Sequence, residues 1–97
     1  MNNAYRKEEM RDIFLDAVKC YVNYWNNLDI PSNEKLEGLV FGIMSIIDGT
    51  SGAMPCSIDL VLRPHPDDKQ YYIENDEKWI KDGMCINDDV MLHEYLK

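Results

Sequence analysis

The sequence predicts an α+β fold: a long N-terminal helix, a buried second helix, a small antiparallel β-meander and a short C-terminal helix, in one domain over residues 1–97. Three observations predict it. Met10, Ile13, Phe14, Ala17, Val18, Tyr21 and Trp25 recur at the i, i+3, i+4 spacing of one helical face. Residues 36–49 are apolar on nearly every side after Glu37 and stop at Asp48-Gly49. From Ile58 the period changes to two, with Ile58, Leu60 and Leu62 alternating against Asp59, Val61 and Arg63.

The first helix is expected from about Ala4 to Asn27, with Asn2 or Asn3 as its cap. At 1.5 Å per residue it would run about 35 Å, comparable to the diameter of a domain of this size, so it must flank the whole body or kink. Asn26-Asn27-Leu28-Asp29-Ile30-Pro31 supplies turn formers, and Ser32 is the expected cap of the second helix, which Gly49 ends. That helix is expected to be the central core element, with Leu39, Val40, Ile43, Met44 and Ile47 buried. Gly38 and Gly42 lie four apart on it, and each lowers helix propensity by about 1 kcal/mol. Their place is explained by close approach of another element, either within the chain or as a homodimer seam with a second copy.

Residues 58–62 are then the first strand and Pro64-His65-Pro66-Asp67-Asp68 a turn braced by its prolines. Gln70 to Glu74, with Tyr71, Tyr72 and Ile73, reads as a second strand, and Asp82-Gly83 is a hairpin signal. Met84, Cys85 and Ile86 complete the meander, with a short helix around Trp79 as the alternative for the intervening segment. Asn87 is the expected cap of a terminal helix carrying Val90, Met91, Leu92, Tyr95 and Leu96.

Composition excludes more than it names. With 45% hydrophobic and 29% charged residues the chain falls among globular proteins and away from disordered ones. Ten Lys+Arg against 18 Asp+Glu give a net charge of −8, and no basic cluster exceeds Arg6-Lys7, so direct nucleic-acid binding is not expected. The N-terminal residues form no apolar leader, and the run Leu39 to Ile47 is far shorter than the about 20 residues of a membrane span, so a cytoplasmic protein without membrane contact is expected. Cys20, Cys56 and Cys85 form no CxxC pair and read as buried or incidental reduced thiols. No phosphate loop, HExxH or nucleophile motif is present, and no cofactor is expected.

His65, Asp67 and Asp68 on one constrained turn are the right residue types for metal ligands, with His93 as a further imidazole if the terminal helix folds back. The string His65-Pro66-Asp67-Asp68 resembles the motif of zinc-dependent sugar deacetylases, which implies a metal-dependent hydrolase. Those enzymes, however, continue with Glu where this chain has Lys69, and they need a larger parallel-sheet domain. Arg63, Tyr71, Tyr72 and Trp79 form a second candidate set, in which aromatic stacking and one cation would bind a small molecule such as a nucleotide at a subunit interface. A third feature is the charge of the C-terminal third. From residue 64 onward there are nine acids against four lysines, while residues 1–19 balance four against four. Asp76, Glu77, Asp82, Asp88, Asp89 and Glu94 would steer a basic partner by long-range attraction.

Three segments carry a wider resemblance: the helix ending in Ile47-Asp48-Gly49, the stretch from Arg63 through Pro64-His65-Pro66-Asp67-Asp68-Lys69 to Ile80, and the close containing Leu92-His93-Glu94. Together they resemble a group of small, functionally uncharacterised proteins of bacteria and their phages or prophages, over roughly residues 36–97. The resemblance implies no catalytic residue. It implies a mobile-element accessory protein that binds, and in some cases inhibits, a host protein such as a defence factor.

Overall fold

The computed structural model of the chain describes residues 3–96, so Asn2, one of the two expected caps, lies outside the described residues. Three α-helices form, α1 over Lys7–Asn26, α2 over Ser32–Asp48 and α3 over Asp68–Glu74, with a 3-10 turn over Leu92–Tyr95. The chain divides into two compact units, residues 3–58 with 91–96 and residues 59–90.

The first unit is an antiparallel helix hairpin. Arg6 holds the cap position of α1: the Glu9 carboxylate accepts the Arg6 backbone N–H at 3.0 Å and lies 3.1 Å from its Nε. This is the returning half of a capping box, and Glu8 and Glu9 also place negative charge at the positive end of the helix. The expected apolar stripe of α1 is the face that packs: Met10, Ile13, Phe14, Val18 and Tyr21 surround a buried cluster of Ala17, Ile46 and Met54.

Large and small residues are complementary along the seam. The Trp25 ring lies on Gly38 and the Tyr21 ring on Gly42, whereas at the next level α1 contributes Ala17 and α2 contributes Ile46. Each step of four back along α1 meets a step of four forward along α2, the ridge spacing of packed helices. The close approach expected at the glycines is therefore made by aromatic rings of the same chain. A Cβ at Gly42 would sit 2.5 Å from Tyr21 Cδ1, and the ring is held at its far end by a 3.0 Å hydrogen bond from its hydroxyl to Ser51 Oγ. Gly42→Ala gains about 1 kcal/mol of helix propensity but must displace a tethered ring, a strain of about 1–3 kcal/mol. We expect net destabilisation, and an unchanged or raised denaturation midpoint would contradict the tight seam.

Pro31 takes the N-cap position of α2 and its carbonyl accepts from Glu34 and Lys35, so Ser32 is the first helical residue rather than the cap. Gly49 ends the helix in a left-handed conformation, φ 78°, which lets Thr50 N–H reach Ser45 O at 3.1 Å. The expected core needs correction. Ile47 is buried, Leu39, Ile43 and Met44 are half-buried, and Val40 is exposed, while Ile46, outside the expected set, is the fully buried residue. All three cysteines are free thiols, Cys20 and Cys56 exposed and Cys85 half-buried.

The expected α+β class is overturned. Among the described residues there is no β-strand and no sheet, so the β-meander is absent; Val61 and Cys85 form only an isolated antiparallel bridge. Two extended arms do meet there, with Leu62 N–H on Met84 O at 2.9 Å and Ile86 N–H on Leu60 O at 3.0 Å, but residues 63–83 with α3 separate them, so Asp82-Gly83 is a turn leading into the second arm and not the expected hairpin. The second expected strand, Gln70 to Glu74, lies within α3. Local bonds override its β-forming residues: Gln70 Nε2 donates to Glu74 Oε1 at 3.0 Å, Asn75 Nδ2 donates to Tyr71 O at 2.7 Å, and Asp76 ends the helix at φ 54°. Trp79 lies on neither strand nor helix. The terminal helix shrinks to the 3-10 turn because its expected cap is engaged elsewhere: Asn87 Oδ1 accepts the Leu60 N–H at 2.9 Å.

Among the described residues no helix is long and apolar enough to cross a membrane.

Candidate functional site

Two features of the helix-hairpin unit combine chemistry with position. The first is a clasp between the end of α2 and the 3-10 turn. Asp48 Oδ1 accepts the Leu92 N–H at 2.8 Å, and Oδ2 accepts the His93 N–H at 2.8 Å and lies 2.6 Å from His93 Nδ1. The carboxylate side chain is 1% exposed and the imidazole 21%. Burial by itself pushes the Asp48 carboxyl up, but the two backbone N–H groups and the His93 ring oppose it and hold the group below its usual range. Against an ionised Asp48, the short contact places a proton on Nδ1, which fixes the ring orientation. Phe41 meets the same imidazole edge to face, with ring centroids 5.5 Å apart.

An Asp-His pair of this kind orients the base in many hydrolases, but a nucleophile must stand at the other ring nitrogen. Among the described residues the ring's hydrogen bond is the one to Asp48, and the pair clasps the end of α2 to the 3-10 turn. It joins Ile47-Asp48-Gly49 to Leu92-His93-Glu94, two of the segments that carry the wider resemblance. In the sequence Asp48 stands out only as part of the Asp48-Gly49 helix stop.

The second feature is a groove of about 630 Å³ at the loop end of the hairpin, between the end of α1 and the start of α2. Trp25, Ile30, Leu36, Val40, Phe41 and Leu96 line it, Gly38 contributes backbone, and Glu34 and Glu37 are its charged residues. Leu36 is 63% exposed and Phe41 47%. The indole N–H of Trp25 is buried and meets no acceptor among the described residues, a deficit of about 1–3 kcal/mol at this end of the hairpin. Lys35, the cation nearest in sequence, is turned toward the interhelical loop, where its Nζ donates to Asn26 O at 3.2 Å.

The residues singled out from sequence are distributed as follows. His65 Nδ1 accepts the Asp67 N–H at 3.2 Å, and Asp68 N–H bonds His65 O at 3.0 Å, so a turn forms in which the imidazole rather than an aspartate is the acceptor. His93 belongs to the Asp48 clasp. Among the described residues no group of three or more His, Cys, Asp or Glu is placed to hold a metal ion, so His65, Asp67, Asp68 and His93 form no ligand set. Of the small-molecule set, Tyr71 and Tyr72 pack edge to face at 5.4 Å, Lys69 Nζ stands 4.3 Å over the Trp79 ring, and Arg63 pairs with Asp82 at 3.3 Å. Its one cation thus already has a carboxylate partner, and one face of Trp79 is covered.

Asp76, Glu77, Asp82, Asp88, Asp89 and Glu94 are all exposed. Apart from Asp82, none of them makes an ion pair among the described residues. No family model matches the chain, and no curated protein or solved structure matches it significantly.

Proposed function

We propose that this chain is a small non-catalytic binding protein whose partner is a basic protein of host or phage, attracted by the exposed carboxylates of its C-terminal third. The observation that carries the reading is the state of residues 59–90. They hold nine acids against four bases, and not one of them is buried. Asp76, Glu77, Asp88 and Asp89 find no cation among the described residues, so they repel one another at the surface. A cationic partner relieves that repulsion on a unit in which no residue is buried. The mobile-element setting implied by the resemblance accords with this role.

The test is affinity capture from a bacterial lysate with the full chain and with a variant in which Asp76, Glu77, Asp82, Asp88 and Asp89 become Asn or Gln. A basic protein retained in stoichiometric amount by the first and lost from the second is the expected outcome. With the captured protein in hand, raising salt should slow association far more than it changes dissociation, because screening acts on the steered encounter. Association rates independent of salt, or equal capture by the neutralised variant, would remove this reading.

A further inference from the structure

The helix hairpin carries an apolar groove at its loop end, between the end of α1 and the start of α2. We infer that this groove takes the apolar face of a basic amphipathic helix. The inference rests on the basic-partner reading above and names the segment that partner would present.

Leu36 and Val40 are spaced i, i+4 on α2, and with Phe41 they form a ridge left largely uncovered, at 63%, 42% and 47% exposure. Ile30 and Leu96 stand on the same groove, and Leu96 is itself 40% exposed. Uncovered side chains at helical spacing beside a concave floor are the receptor half of helix-in-groove recognition, whose ligand supplies anchors at i, i+3, i+4 and i+7. The floor is the Trp25 ring, which packs directly on the bare backbone of Gly38. Charge selects the occupant. Among the described residues the charged ones that line the groove are Glu34 and Glu37, both exposed, and Lys35 is tied back to Asn26 O. An apolar stripe flanked by Lys or Arg satisfies both features at once. A second copy of this chain does not, since it would bring Glu34 and Glu37 against their own counterparts on a protein of net charge −8.

The test uses a fluorescein-labelled peptide of about 18 residues, five helical turns, made only of Leu and Lys with the leucines on one face. A permuted peptide of the same composition, with its leucines scattered around the helix, is the control. By anisotropy at low salt, the full chain should bind the striped peptide at least about tenfold more tightly than the permuted one. Leu36→Asp, and separately Glu34→Lys with Glu37→Lys, should each weaken the striped peptide about tenfold or more. These positions are exposed, and the circular dichroism of the variants should match that of the parent.

Equal affinity for both peptides, lost on neutralising the carboxylates of residues 59–90, would overturn the groove and leave the basic-partner reading standing. No binding of either peptide would overturn both. A concentration-dependent mass in light scattering that Leu36→Asp reduces to the monomer would assign the groove to a second copy and overturn the inference.

Discussion

Ile46→Ala is expected to destabilise the protein by about 2–5 kcal/mol, against a whole stability of about 5–15 kcal/mol for a domain of ordinary kind. Ile46 is the fully buried large side chain of the chain's small core, enclosed by Ala17 and Met54 with Met10, Ile13 and Phe14 around them. Ala17 faces it across the seam and cannot extend into the space that truncation would leave, so the cavity term adds to the lost transfer energy. Val40→Ala, on the same helix but 42% exposed, should cost less than about 1 kcal/mol. Urea denaturation of both variants at one temperature checks the contrast, because the midpoint reports stability when the slope is unchanged. Equal losses would mean that α2 is buried evenly on all sides, as its sequence alone predicts.

That contrast shows where sequence reading reached its limit. The stripe of α1 was legible residue by residue, because a helix packed on one side leaves a 3.6-residue signature and Met10, Ile13, Phe14, Ala17 and Val18 all follow it. The glycines of α2 were legible as points of close approach, since nothing else accounts for two helix-weakening residues four apart. What covers an apolar helix was not legible. A ridge such as Leu36, Val40 and Phe41 looks the same in sequence whether it meets the chain's own core or remains open.

The meander failed for a different reason. Alternation at Ile58, Leu60 and Leu62 describes a half-buried extended segment, and the segment is extended, yet a sheet also requires several partners in register. Residues 84–87 provide one arm only, and Tyr71, Tyr72 and Ile73 are drawn into α3 by side-chain bonds that a propensity scale does not contain. The acidic residues could be placed on the surface from charge alone. The Asp48 clasp could not be found in this way, for its partners lie 44 and 45 residues away and no spacing rule links them.

Asp48→Asn is the second change expected to have a large effect, and its consequence depends on pH. The carboxylate accepts from three donors, the Leu92 N–H, the His93 N–H and the His93 ring, while its own side chain is 1% exposed. An amide of the same shape must turn its NH2 toward at least one of these donors, which leaves a buried donor unsatisfied at about 1–3 kcal/mol. Loss of the charge weakens the remaining bonds as well, so a total of about 2–4 kcal/mol at neutral pH is expected. His93→Ala removes one of the three bonds and keeps both backbone donors engaged, and it should cost only about 1 kcal/mol. Because the folded carboxyl lies below its ordinary value of 3.8, the ionised clasp contributes its stability above that pH. That contribution is lost as the pH falls through the lower folded value, where the native state must also take up the proton. The stability difference between the parent and Asp48→Asn should therefore be constant from neutral pH down to about 4 and shrink below it. Denaturation midpoints across this range, with amide exchange at Leu92 and His93 to follow release of the 3-10 turn, measure the effect. A difference that stays the same down to pH 2, or a larger loss in His93→Ala than in Asp48→Asn, would mean that the imidazole rather than the buried carboxylate holds the C-terminal turn.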